Sequence, residues 1–342
     1  MHSYLRAIGF ANITKESEVE ELLADVYQKF DHREAVREDD TAFIEMEKEF
    51  APDMGIKLCG DIDGDGFHRQ YYFPYYKGRN VTTSEEVSVE RRVNGDSFAG
   101  ICDDGRVGVS LIFYLQNAAR YRQEQILSQL KGAVTTTFTG LSSGGRILFP
   151  VAKRSSEESG DFEKKSVARR SQLMSAAKNG DPEAIESLTI EDMDLYSMVS
   201  RRVYKEDVFS IVDTFFMPYG MECDQYQILG NIEYCQRVQN MVTDEYVYQM
   251  TLECNDMYFD VCVNAKDLLG VPEIGRRFKG NIWLQGLTVW ASAIIFGMIF
   301  WALVNSSLPH YSFLIVAITM SALLLFGRRA VAQWMSRKKA TA

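Results

Sequence analysis

Two uncharged apolar runs, Leu287–Val304 and Leu308–Phe326, constrain this chain more than any other feature. At about 1.5 Å per residue, a helix over either run would be roughly 27 Å long, close to the ~30 Å hydrocarbon core of a bilayer. Apolar residues cover every face of both runs, whereas a helix packed on a soluble core needs only a stripe. Ser306 or Ser307 can cap the second helix, and Pro309 falls in its first turn, where a missing N–H is tolerated. The expectation is a two-helix transmembrane hairpin, residues 287–304 and 308–326, with a basic tail over 327–342. Arg276, Arg277 and Lys279 precede the first run; Arg328, Arg329, Arg337, Lys338 and Lys339 follow the second, and Asn305–Ser307 carries no positive charge. Lys and Arg stay on the cytoplasmic side, so the expected localisation is a multi-pass protein of the cell membrane with both termini cytoplasmic. The lipid bilayer, with anionic headgroups beneath the tail, is then one partner. Neither run holds an ionisable residue of the kind a conduit needs, so the hairpin reads as an anchor. Ala293 and Gly297 could seat a membrane-protein partner.

Charge separates the rest of the chain from this end. Of 37 Lys and Arg, eight lie from Arg276 onward with no acid among them, which leaves 29 against 47 acids, a net charge of −18, for residues 1–275. So acidic a body repels phosphate backbones, and nucleic acid is not an expected partner. The opening MHSYLRAIGF has no basic run ahead of an apolar one, so no secretory leader is expected. The six cysteines are scattered without a CxxC pair, which fits reduced, buried thiols.

The periodicities divide the chain before the runs into an α+β region and a β-rich one. Thr14 can cap a helix in which Val19, Leu22, Leu23, Val26 and Phe30 recur at helical spacing. A charged stretch around Arg33 to Asp40 follows. Strand patterns occupy Ile56–Cys59, Phe67–Tyr76, Val87–Val93, Phe98–Cys102 and Val107–Phe113, punctuated by Asn94-Gly95 and Asp104-Gly105. A helix over about Gln116 to Leu130 leads to strands Val134–Thr139 and Ile147–Val151. This gives an antiparallel-sheet domain over residues 1–152, a charged linker over 153–165 and a helical segment over 166–206, where Asp181 and Pro182 open a short helix. From 207 to 286 the pattern is β throughout, with strands Phe209–Phe216, Gln227–Arg237, Tyr246–Cys254, Tyr258–Val263 and Arg277–Gln285. A small closed barrel of OB-like type is the expected fold there.

Motifs that would name a chemistry are incomplete. Asp61, Asp63 and Asp65, with Gly66 after them, match the first half of a calcium loop, but Tyr72 stands where its bidentate Glu belongs, so a β-turn is the better reading. Gly140-Leu141-Ser142-Ser143-Gly144 fits GxSxG, yet a strand follows where a nucleophile elbow needs a helix, so a hairpin turn is expected. His2, His32 and His68 are the only histidines before the runs, which leaves little for a histidine-dependent hydrolase or a zinc site. No P-loop or strand-coupled GxGxxG occurs, and no cofactor is expected. The aromatic run Tyr71, Tyr72, Phe73, Tyr75 and Tyr76 reads as strand packed on the core, with ligand stacking as the alternative.

The segments MHSYLRAIGF, YYFPYYKG, FFMPYGMECDQYQILGNI and GRRFKGNIWLQG resemble an uncharacterised bacterial domain-of-unknown-function family from anaerobic Gram-positive bacteria, over about residues 1–286. The resemblance implies no activity, cofactor or site, and the apolar hairpin looks like an addition to it. The expected function is a membrane-anchored, cytoplasm-facing regulatory or adaptor module without catalysis. The alternative is a small-ligand sensor or enzyme that uses the β-rich segment.

Overall fold

A computed structural model describes residues 3–38, 41–92, 97–127, 134–151 and 212–290, with 180–190 and a few positions between 169 and 209. After a 3-10 turn, Ser3–Ile8, comes α1 (Glu16–Gln28), which buries Val19, Leu22, Leu23 and Val26 on one face. Its N-cap position falls on Lys15, not Thr14: the Glu18 carboxylate reaches back to accept from Thr14 N at 3.1 Å and Lys15 N at 3.2 Å. Strands β1 (His32–Glu38), β2 (Thr41–Ala51), β3 (Met54–Asp63) and β4 (Gly66–Tyr76) form an antiparallel meander in chain order. The stretch expected to be merely charged is thus the edge strand β1, and charge on an edge discourages strand addition.

The remaining strands build one ten-stranded sheet: β5 (Val87–Arg91), β6 (Phe98–Asp103), β7 (Ser110–Leu115), β8 (Val134–Leu148), β9 (Phe215–Pro218), β10 (Gln225–Gln239), β11 (Tyr246–Cys254), β12 (Met257–Asn264), β13 (Leu268–Leu269) and β14 (Arg277–Trp290). Helix α2 (Ala118–Leu127) joins β7 to β8. Within this sheet β8 pairs in parallel with β12, and β12–β11, β11–β10, β10–β14 and β14–β8 all pair antiparallel. These five strands therefore close on themselves. Their alternate residues fill the interior: Phe138 of β8, Ile228 of β10, Met250 of β11, Val261 of β12 and Ile282 of β14 are all fully buried in one apolar cluster. Strands β5, β6 and β7 extend from β14 as a wing, through Gln285 and Gly286 beside Tyr114 and Leu115. The meander, α1 and the 3-10 turn pack on the outside of the ring, where Leu141, Val247, Cys262 and Trp283 join Tyr4, Leu5, Phe43 and Ile56 in a second core.

This architecture corrects the expected fold class. Residues 207–286 form no OB-like barrel by themselves, because the ring closes only with β8, and the sheet runs through strands that precede and follow the charged stretch. Strand β8 is also continuous through Gly140–Gly144, where a hairpin turn was expected. Cβ atoms at Gly140 and Gly145 would stand 2.8 Å from Ile282 and 2.4 Å from Phe278. The glycines that resemble turn residues instead make room for large side chains of β14.

The membrane hairpin is overturned where the structure reaches it. Leu287 to Trp290 continue β14, paired with Thr137 to Val134 of β8, and Asn117 exchanges two hydrogen bonds with the Thr288 backbone. Among the described residues no helix is long and apolar enough to cross a membrane, which conflicts with the expected multi-pass placement. Residues 291–342, with the rest of both runs, lie outside the described residues, as does the linker over 153–165. Residues 182–190 are helical, opened by Asp181, whose Oδ1 accepts from Glu183 N at 3.0 Å.

Beside the β7–β14 pairing, the Phe113 ring packs the wing against the ring of strands. Phe113 lies between Gly100 and Gly286, and Cβ atoms there would come within 2.1 Å and 2.4 Å of its side chain. Overpacking a close-packed core by a methyl costs about 1–3 kcal/mol. Gly100→Ala should destabilise by that amount in urea denaturation, and an unchanged midpoint would show that Phe113 has room to move.

Candidate functional site

A cleft opens where the wing, the β9–β10 loop and the N-terminal turn meet. The loop starts at Pro218, turns through Gly220 at φ +76° and returns to β10, closed by Tyr219 N donating to Gln225 O at 2.9 Å. That path carries Asp224 inward until it is 1% exposed. Its backbone carbonyl accepts from Leu284 N at 2.8 Å, and its Oδ2 accepts from Trp283 Nε1 at 2.9 Å and from Arg92 Nη2 at the end of β5. Its Oδ1 is buried without a hydrogen-bond partner among the described residues.

Aromatic rings gather on the same point. Trp283 stacks on Tyr4 with centroids 5.3 Å apart and meets Tyr114 edge-on at 4.9 Å. The Arg92 guanidinium lies 5.4 Å from the Tyr114 ring centroid. These groups border a cavity of about 760 Å³, completed by Ile101 and Ile112 of the wing and by Met221 and Glu222 of the loop. A volume of that size falls in the range of small-molecule sites, about 300–1,000 Å³. Burial, with Glu222 and Asp224 nearby, pushes the Tyr4 hydroxyl up to about 12, so it stays protonated as a donor at neutral pH.

A second polar cluster lies between the meander and the ring, but it is sealed. Lys57 sits 3.5 Å from Glu47 and donates to Gln116 O at 2.9 Å; Glu45 accepts from Ala118 N at the start of α2. Gln116 Nε2 also reaches Tyr76 O, Thr139 Oγ1 and Gln285 Oε1. The lysine and both carboxylates are less than 9% exposed, so this network holds the two layers together and meets no solvent-borne substrate. Three buried thiols are equally unsuited to nucleophilic work: burial pushes Cys102 and Cys254 up to about 12, and Cys59 well above the ordinary thiol range. Cys223 is the exception to the expected burial, exposed on the β9–β10 loop at the edge of the cleft.

The residues singled out from sequence fall elsewhere. Asp61, Asp63 and Asp65 occupy the β3–β4 hairpin, where Asp61 accepts from Gln70 and Asp63 Oδ1 accepts from Asp65 N at 2.9 Å and lies 3.1 Å from His68 Nε2. No cluster of three or more His, Cys, Asp or Glu suited to a metal ion occurs among the described residues. Arg276 pairs with Glu273 at 2.8 Å, and Lys279 lies 4.0 Å from the Phe209 ring centroid. Arg277 is buried and donates to the carbonyls of Phe149, Phe209, Val212 and Asp213. Arg328, Arg329, Arg337, Lys338 and Lys339 lie outside the described residues. Ser142 is buried within β8, its hydroxyl 2.8 Å from Asn281 O.

Sequence reasoning missed Tyr4, Arg92, Asp224 and Trp283, because no spacing links them. A faint signal existed: Tyr4, Asp224 and Trp283 each fall in one of the quoted segments MHSYLRAIGF, FFMPYGMECDQYQILGNI and GRRFKGNIWLQG, and the cleft is where those segments meet.

Comparison with known proteins bears out the family resemblance of these segments. A protein-of-unknown-function family (DUF3054) matches residues 264–332, from the end of β12 into the apolar runs. No curated protein and no solved structure gives a match. The domain of unknown function with an E. rectale gene description (DUF3881) matches residues 5–286, which takes in the meander, the wing and the ring up to Gly286, and the chain belongs to that family.

Proposed function

We propose that this chain is a non-catalytic regulatory module that works by binding a small organic molecule in the cleft beside Trp283. One observation carries the reading: an open cavity of about 760 Å³ ends on an arginine held by a carboxylate that is itself 1% exposed. Burying a carboxylate is costly unless it is paired, and here the pairing fixes Arg92 and the Trp283 indole in one arrangement. An arginine already ordered binds a ligand without the entropy cost of ordering a long side chain.

The test is a thermal-shift survey of the full chain against metabolite-like compounds, repeated with Ala99→Phe, which fills the cleft floor. A ligand at about 100 times its Kd adds roughly 2.7 kcal/mol to stability. A compound that raises the Tm of the native chain and leaves that of Ala99→Phe unmoved is the expected result. Equal shifts in both would place the ligand elsewhere, and turnover of the bound compound would replace regulation with catalysis.

A further inference from the structure

The cleft carries both signs of charge on two separate walls. Glu90, Arg91 and Arg92 come from the end of β5, and Glu222 comes from the β9–β10 loop, where Gln225 Nε2 donates to its Oε2 at 2.7 Å. Between the walls the floor is apolar: β6 and β7 set Ile101 opposite Ile112 and Ala99 opposite Tyr114. A purely anionic ligand would meet the guanidiniums but also Glu90 and Glu222, with Asp224 buried behind Arg92. A purely cationic ligand would meet the acids but also two arginines. A ligand that brings one sign of charge meets repulsion from the other, so complementarity of both signs decides which ligand stays.

We propose that the cleft binds a zwitterionic amino compound, an amino acid or short peptide with free ends, its carboxylate on Arg92, its ammonium on Glu222 and an apolar side chain on the floor of Ala99, Ile101 and Ile112. This rests on the cleft being a ligand site. Arg92 is the better placed of the two arginines because the Asp224 carboxylate anchors its Nη2, which sets the guanidinium plane before a carboxylate arrives. Glu222 is anchored in turn by Gln225. The charged groups are thus oriented by neighbours that the ligand does not displace.

Calorimetric titration of the full chain with alanyl-phenylalanine and its end-blocked forms tests this directly. The free dipeptide should bind at least tenfold more tightly than its N-acetyl, C-amide and doubly blocked forms. Arg92→Ala should erase the preference over the amide, and Glu222→Gln, a change at an exposed side chain, the preference over the N-acetyl form. Equal binding of the N-acetyl form would make the site an anion site, and equal binding of the amide a cation site; either result overturns the zwitterion and keeps the ligand site. Failure of all four forms, alongside a cleft-dependent hit from the wider survey, sinks the zwitterion alone. Failure of that survey sinks both readings.

Discussion

Lys57→Met is expected to cost about 3–5 kcal/mol, because it strips the positive charge from between two buried carboxylates. Lys57 is 8% exposed, Glu45 3% and Glu47 6%, so solvent cannot take over the lost pairing. Burial pushes the Glu45 carboxyl up, and the Lys57 charge only partly opposes this. Burial would also raise Glu47, but Lys57 and Lys77 outweigh it and hold that carboxyl below the ordinary range. Burial lowers Lys57 itself, yet the two glutamates more than compensate and raise it. A carboxyl lowered in the folded state adds stability above about pH 4.3 that is lost as pH falls through its folded pKa. A raised lysine adds stability that is whole below about pH 10.4 and lost above it. A raised carboxyl works the other way, and the stability falls as pH climbs past about 4.3. In Lys57→Met both carboxyls move up, so the variant should be most damaged at pH 8 and partly recovered at pH 5. Urea denaturation at the two pH values measures the difference, and an equal loss at both would show that the carboxylates do not respond to Lys57. Adding Glu45→Gln and Glu47→Gln should restore much of the stability, since removing a buried charge set together costs less than breaking it.

The same glutamates explain why β2 went unread. An alternating strand shows its inward residues as apolar, but Thr41–Ala51 buries Glu45 and Glu47 among Phe43, Ile44 and Met46. A pattern that counts alternating hydrophobic positions finds no strand there. Where burial and apolarity coincide, the sequence was legible: the buried face of α1 and the Phe73–Tyr75–Tyr76 core of β4. The ring was not legible, because the contact that closes it, Thr139 to Ser142 beside Asp260 to Val263, joins strands with no local signature of each other. The apolar run at Leu287 misled for a related reason. A buried strand and the start of a spanning helix are both uncharged, and only the partner strand β8 distinguishes them. The cleft suffers both problems at once, since its ordered arginine depends on an acid that a sequence cannot show to be buried.

Arg277→Met is the second substitution expected to act strongly, by unfastening the chain that leaves β8 and returns to β9. The Arg277 side chain is buried and donates to Phe149 O at 2.9 Å on the outgoing side, and to Phe209 O at 2.6 Å, Val212 O at 2.9 Å and Asp213 O at 3.2 Å on the returning side. One guanidinium thus ties both ends of the intervening stretch to β14. Burial lowers its pKa, with Asp213 opposing, but an arginine still keeps its charge at any working pH. Charge-assisted bonds to carbonyls are worth about 1.5–3 kcal/mol each when lost to an apolar replacement, though carbonyls that reach water recover part of this. A net cost of about 2–4 kcal/mol follows. Arg277→Lys should retain little of the lost stability, because an ammonium has three donors on one atom and cannot reach carbonyls spread around a planar fork. The decisive measurement is limited proteolysis: in the variant, cleavage between residues 150 and 212 should outpace cleavage within the ring, since the ring's own strand pairing is untouched. Uniform proteolysis across the chain would mean that Arg277 supports the whole fold, and unchanged proteolysis would mean that the four carbonyls do not need it.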